Sequence, residues 1–342
     1  MGSTLSQMWP PAPKFTERDV PDQSGKVFIV TGASSGVGKE LARLVFALNA
    51  KVYLASRSES KVRRAISDIQ TENSDSNGQL EFLQIDLEDL ESVKQAAESF
   101  LQKETRLDML WNNAGVMLPP SGSKTKQGYD MQLGVNCLAP FLFTQLLTPI
   151  MKKTAKRAEP GSVRVLWVSS SAAELFSPTG GVDLDNLDYQ KPQSNHVRYA
   201  ISKAALVLLC QEYAKRHRED GIISVAMNPG NLKSELQRHV PGIVTRFFHS
   251  ISWEPVYGAY TELYSAFSPD ITIQNSGCWG KQCSVDVSAA HIDSSIAIPW
   301  GRLASVRKDI REAGIGTLEG GAGNGEKFWL WSVNELRSYG VD

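Results

Sequence analysis

Tyr199 and Lys203 stand four residues apart in the segment Tyr-Ala-Ile-Ser-Lys, and on a helix that spacing sets both side chains on one face, one turn apart. A phenol ordinarily titrates near pH 10, so it is a poor acid or base at neutrality; a neighbouring ammonium favours the phenolate and draws its pKa toward the working range. The pair suits proton transfer to or from an oxygen. Alone the spacing is cheap, and an exposed helix face would account for it. Its weight comes from company. An apolar run upstream ends in Val168-Ser169-Ser170-Ser171, where a hydroxyl could hydrogen-bond a substrate oxygen as charge develops on it.

A second kind of chemistry is written near the start. After the apolar run 26–30 comes Thr31-Gly32-Ala33-Ser34-Ser35-Gly36-Val37-Gly38, which leads into a segment of helical period. Three glycines allow a tight turn, a close backbone approach to a pyrophosphate and packing of helix on strand, and the helix N-terminus adds unpaired N–H donors with a partial positive charge. The expected contacts are Gly32, Ser34, Ser35, Gly36, Val37 and Gly38. A dinucleotide site also reads the ribose at the end of the second strand, by an acid for a 2′-hydroxyl or a base for a 2′-phosphate. Here that strand runs into Arg57, with Lys61 one helical turn on, so NADP(H) is preferred over NAD(H). Asp86 and Leu87 after the third strand fall where the adenine would lie, and Asn113, Ala114 and Gly115 bend the chain after the fourth.

These residues need a frame. From Lys26 the sequence alternates short β-rich runs with longer stretches of helical period, the pattern of a parallel sheet covered on both faces. The expected strands are 26–30, 51–55, 81–85, 107–111, 163–168 and 222–227; the expected helices are 38–48, 60–70, 90–102, 128–151, 197–217 and 255–267. The fold class is therefore α/β, a Rossmann-type doubly wound parallel sheet in a single domain spanning 25–300. It follows an N-terminal surface arm, 1–24, and precedes a C-terminal extension, 301–342. Residues 173–196, rich in turn formers, read as a long loop. Residues 231–252, with Leu232, Leu236, Val240, Ile243, Val244, Phe247 and Phe248, read as an apolar lid. The glycine-rich run from Gly314 reads as a flexible linker before a last amphipathic segment that docks by its aromatics.

Composition narrows the partners. Thirty-six basic residues against 37 acidic ones leave a net charge of -1, so no global field points to nucleic acid or an anionic membrane; a small molecule is the expected partner. Four cysteines without a Cys-x-x-Cys pair make no disulfide framework, and a cytoplasmic setting fits them. The five histidines lack ligand spacing, so no metal is expected. The first 24 residues contain no apolar run and predict no membrane span. Met1-Gly2 through Ser6 matches an N-myristoylation pattern without a polybasic second signal, and an unmodified start is expected.

Taken in order, TGASSGVG, NNAG, the asparagine of GVNCLAPF, VSSS, YAISK and Pro229-Gly230 resemble the short-chain dehydrogenase/reductase family over roughly residues 25 to 235. The resemblance implies a catalytic tetrad of Asn136, Ser170, Tyr199 and Lys203. In it Tyr199 exchanges the proton with the substrate oxygen and Ser170 stabilises that oxygen. Lys203 binds the nicotinamide ribose and lowers the tyrosine pKa, while Asn136 holds a water that connects the lysine to solvent. It also implies that Pro229, Gly230, Leu232 and Ser234 hold the carboxamide end of the nicotinamide, with Ser234 where threonine is usual. Within the family the chain is similar to the branch of retinol dehydrogenases, the WW-domain oxidoreductase and their fungal relatives, without that branch's N-terminal membrane helix or WW module. Many members pair through the helices holding Leu138–Met151 and Tyr199–His217; a homodimer and a monomer both stay open. The expected function is NADP(H)-dependent hydride transfer to or from a lipophilic carbonyl or alcohol. The alternatives are isomerisation or cyclisation in secondary metabolism, and a nucleotide-sensing binding module.

Overall fold

A computed structural model describes residues 6–7, 9–234, 236, 252–277 and 295–341. Apolar runs become the buried strands β1 (Val27–Thr31), β2 (Lys51–Ser56), β3 (Gln79–Gln84), β4 (Met109–Asn112), β5 (Val163–Val168) and β6 (Ile222–Met227). Every residue of β1, β4, β5 and β6 is buried, because helices cover both faces of a parallel sheet. Two more strands, β7 (Ser295–Ile298) and β8 (Arg302–Ser305), complete an eight-stranded sheet ordered β3-β2-β1-β4-β5-β6-β7-β8, parallel except for β8. The chain winds outward from β1 to β3, then returns beside β1 as β4. That reversal opens a crevice at the carboxyl ends of the strands, where ligands of such sheets bind.

One face of the sheet is packed by α1 (Gly36–Ala47), α2 (Glu59–Glu72) and α7 (Pro255–Phe267), with Phe28, Leu41 and Leu263 in that half of the core. The other is packed by α3 (Leu90–Lys103), α4 (Met131–Ala155) and α6 (Asn195–His217), with Phe100, Phe141 and Tyr213. The helix α4 begins where the Asp130 carboxylate accepts from Gln132 N and Leu133 N, and its turn Gly134–Leu138 is a π-turn. By length and composition α4 could cross a membrane, but most of it is buried within this fold. Ser194 caps α6 by accepting from Val197 N, and Lys215, Arg216 and His217 meet its negative end.

Several expectations are corrected. The hairpin β7–β8 adds two strands that the sequence does not predict; four residues each are too short for a period-2 signal, and its turn 299–301 falls at the expected end of the domain. Residues 173–196 are more than loop. They hold α5 (Ala172–Phe176) and a 3-10 turn Leu184–Asn186, with Val182, Leu187 and Tyr189 buried. The glycine-rich run is no flexible linker: Ala322 N donates to Glu312 O (3.1 Å) and Gly323 N to Ile315 O (2.9 Å), and its glycines permit backbone contact. It joins α8 (Lys308–Ala313) to α9 (Asn324–Leu336). The arm before residue 25 runs over the surface as expected of its composition, anchored by Gln7, Pro10, Val20 and Gln23, which are buried. Most of the lid, 231–252, lies outside the described residues, as do Gly2, Cys278 and Cys283; Cys137 and Cys210 are free and buried.

The last aromatic segment does dock. Trp329 of α9 meets Phe141 of α4 edge-on at 4.7 Å, and the Arg216 guanidinium of α6 lies 4.5 Å over its ring. Trp329→Ala should therefore lower the unfolding free energy by about 3–5 kcal/mol, the usual cost of emptying a buried tryptophan site. Equilibrium urea unfolding reads this directly, and a loss below about 1 kcal/mol would show that α9 contributes little to the core.

Candidate active site

A cavity of about 620 Å³ opens at the carboxyl ends of β1, β2, β3, β4, β5 and β6. Its floor at one end is the turn from β1 into α1. Gly32 has φ +71 and Gly36 φ +57, and a Cβ on Gly38 would fall 2.6 Å from Asn113 Nδ2 and 2.8 Å from Gly32 O. The helix start packs this closely on the turn and on Asn113 only because Gly38 has no side chain. Ser35 sits at the N-cap without capping by its hydroxyl, so the first N–H groups of α1 are left to a ligand. Asn113 donates from Nδ2 to Thr31 O (2.7 Å) and Ala114 N to Thr31 Oγ1 (3.0 Å), which ties the bend after β4 to the cradle.

Ser34, Ser35, Val37, Arg57, Lys61, Asp86, Leu87, Ala114 and Gly115 line the same cavity, as do Pro229, Gly230, Leu232 and Ser234. Asp86 accepts from Glu88 N at 3.0 Å. Arg57 is half exposed and ion-paired with Glu88 at 2.6 Å. The sequence does not mark Glu88 as part of the site; its only signal there is a carboxylate two positions after Asp86. The chemistry of this set fits a dinucleotide: an uncapped helix start for the pyrophosphate and cationic groups where the adenosine ribose would lie.

At the other end, Tyr199 and Lys203 enter from the first turns of α6, both buried. The three serines after β5 are told apart by their bonds. Ser169 is spent on structure, its Oγ donating to Lys203 O at 2.7 Å. Ser170 faces the cavity and hydrogen-bonds the Tyr199 phenol. Asn136, at the middle of the π-turn, does not border the cavity but backs it. Its Oδ1 accepts from Val116 N (2.8 Å), and its Nδ2 donates to Val116 O (3.0 Å) and Ser202 Oγ (2.9 Å). Among the described residues, no group of three or more His, Cys, Asp or Glu side chains is placed to hold a metal.

A family profile described as short chain dehydrogenase matches residues 26–182. A short-chain dehydrogenase/reductase of the fungus Phomopsis amygdali is 44% identical over 337 residues, covering 98% of this chain and 96% of that one. Another, from Neocamarosporium betae, is 42% identical, covering 99% and 94%. The chain belongs to the short-chain dehydrogenase/reductase family. It is thus an oxidoreductase acting on CH–OH groups. Solved structures share the fold at lower identity. An uncharacterized protein from Mycobacterium paratuberculosis has a TM-score of 0.65 at 24% identity, covering 96% of this chain and 98% of that one. Pseudomonas aeruginosa RhlG, solved as an NADP active-site complex, has 0.56 at 23%, covering 72% and 91%. A Brucella melitensis 3-ketoacyl-(acyl-carrier-protein) reductase complexed with NADH has 0.55 at 24%, covering 73% and 95%.

The electrostatics of this family member correct one expectation. Burial pushes the Tyr199 phenol up to about 12, against the downward pull of its hydrogen bond with Ser170. Burial also brings the Lys203 ammonium down to about 8. The ammonium does not acidify the phenol here: Lys203 Nζ donates to Val168 O at 2.7 Å and lies 5.8 Å from the centre of the Tyr199 ring. Desolvation outweighs a charge at that distance.

The lowered lysine has a consequence for stability. The unfolded chain holds the Lys203 proton to about 10.5, whereas the folded protein releases it near 8. Below that range the cost of burying the cation is present in full, and it is relieved as pH rises through the window. The unfolding free energy of Lys203→Met should therefore rise less steeply than that of the native protein between pH 8 and 10.5. Parallel curves in urea titrations at those pH values would refute the shift.

Proposed function

We propose that the protein is a carbonyl reductase that uses NADP(H) and acts on lipophilic aldehydes or ketones, with Tyr199 as the proton donor. The observation that carries the reading is the meeting of Tyr199, Ser170 and Lys203 at one end of a cavity whose other end is an uncapped glycine cradle. NADPH bound there would supply the hydride. The protein's own residues supply the rest. Ser170 donates a hydrogen bond to the carbonyl oxygen, and the Tyr199 O–H gives it a proton as negative charge builds. Burial keeps that phenol protonated at neutral pH, which suits donation to a carbonyl. Lys203 would be the cation that holds the nicotinamide ribose. Asn136 acts by position, holding Val116 and Ser202 beside the tetrad.

Arg57 and Lys61 on the cavity wall support NADP(H) over NAD(H); a 2′-phosphate would take Arg57 from Glu88. Met117, Leu175 and Leu236 give the open side an apolar lining, which supports a lipophilic substrate. Because α9 lies across α4 and α6 through Trp329, we take the working unit to be one chain. A mass of two chains in light scattering would overturn that.

Two variants in one assay test the rest. Tyr199→Phe should remove at least 99% of NADPH-dependent turnover, the order of loss when a general acid is deleted, with nucleotide affinity retained. Arg57→Ala should weaken NADPH binding about tenfold while leaving NADH near its native affinity, since it removes a charge-assisted bond to a phosphate. Tryptophan fluorescence on nucleotide titration reads both affinities. Native turnover in the phenylalanine variant would remove the proposed acid, and no NADPH oxidation with any carbonyl compound would favour non-redox chemistry.

A further inference from the structure

The N-terminal segment packs against two segments that line the cavity, with its partners 167 and 221 residues away along the chain. Gln7, 5% exposed, accepts at Oε1 from Asn228 Nδ2 (2.8 Å) and donates from Nε2 to Glu174 Oε2 (3.4 Å). Both partners belong to the cavity rim: Asn228 lines it directly, and Glu174 precedes the lining residue Leu175 on α5. Asn228 is engaged at both ends of its amide, since its Oδ1 accepts from Gly230 N at 3.1 Å. One end closes the Asn228-Pro229-Gly230 turn, and Gln7 holds the other.

The turn is gripped from its far side as well. Gly230 has φ +97, and a Cβ there would lie 2.9 Å from both Pro299 and Trp300 in the β7–β8 turn. Arg302 joins the two supports, donating from Nε to Pro299 O (2.7 Å) and from Nη2 to Ser6 O (2.7 Å). Glu174 is fixed in turn, with its Oε1 accepting from Arg307 N (3.1 Å) and its backbone carbonyl from Arg307 Nη1 (2.7 Å). A tail that merely packed would bury its apolar side chains. Here Trp9 is 59% exposed, while Gln7, a polar residue, is buried together with Pro10. Burying an amide is costly unless both its polar ends are paired, and Gln7 has a partner at each end, Asn228 of the cavity lining and Glu174 beside the lining residue Leu175.

We propose that Gln7 is a positioning residue, and that the N-terminal segment braces from behind the wall of the substrate end formed by α5 and the Asn228–Gly230 turn, and so sets which carbonyl compounds enter between them. This rests on the reading of the cavity as a nucleotide and carbonyl site. Without Gln7, Asn228 loses the acceptor that fixes its rotamer, and the gap between α5 and the turn is no longer held at one width.

Gln7→Leu keeps the bulk and removes both hydrogen bonds. Amide hydrogen exchange on the full chain reads the clamp without any turnover, because the Gly230 N–H is bonded to Asn228 Oδ1. Exchange at Gly230 should quicken roughly tenfold, matching one lost buried hydrogen bond. In the reductase assay, the ratio of kcat/KM between a short and a long-chain aldehyde should shift more than about fivefold for a loss of that size, while NADPH affinity holds. Native exchange at Gly230 overturns the clamp whatever the assay shows, and quickened exchange with an unchanged ratio overturns the wall. If the native protein reduces no aldehyde, the functional reading fails and the wall with it, and the exchange data alone then decide the clamp.

Discussion

Lys203 is buried, and its ammonium has the carbonyl of Val168 as its acceptor at 2.7 Å. Its own carbonyl accepts from Ser169 Oγ at 2.7 Å. These two bonds stitch the start of α6 to the end of β5 in both directions. The geometry of the site follows from them. With Lys203 held there, Tyr199 one turn earlier is carried to Ser170, the residue after the stitch. A cation in a low-dielectric setting is costly, and the same burial that lowers Lys203 raises Tyr199. The site is built by taking polar groups out of water and giving each a fixed partner, which leaves the phenol protonated and aimed.

The sheet supplies the other half of the design. Reversal of winding between β1 and β4 leaves the carboxyl edge open, and both ends of the site stand on it. The cradle follows β1, the bend at Asn113 follows β4 and the serines follow β5. Because β1, β4, β5 and β6 are buried throughout, the edge cannot shift without disturbing the core on both faces. Helix α4 brings in Asn136 through a π-turn, an irregularity that helices often carry at functional sites.

Outside this frame, the two ends of the chain fold back onto it. Helix α9 covers α4 and α6 with Phe328 and Trp329, and the arm before β1 lays Gln7 against Asn228. The hairpin β7–β8 extends the sheet and presses Pro299 and Trp300 on Gly230. Through backbone carbonyls, Arg302 knits these late segments to the N-terminal arm and Arg307 knits them to α5. A planar guanidinium can serve several such acceptors at once.

The α/β class, six strands, the cradle and the Tyr199–Lys203 pair were legible in the residues alone, because each depends on local spacing: period 2 or 3.6, glycines in a turn, four residues along a helix. What sequence could not decide depended on contacts far apart along the chain. It could not separate Ser169 from Ser170 by bonding, since that turns on which hydroxyl α6 captures. Nor could it find Glu88 against Arg57, or Gln7 against Asn228, or show that a glycine-rich run is folded, or that burial outweighs a neighbouring ammonium at Tyr199. Composition and period describe a residue's neighbours in the chain; partner choice and desolvation are set by neighbours in space, and only the tertiary structure supplies those.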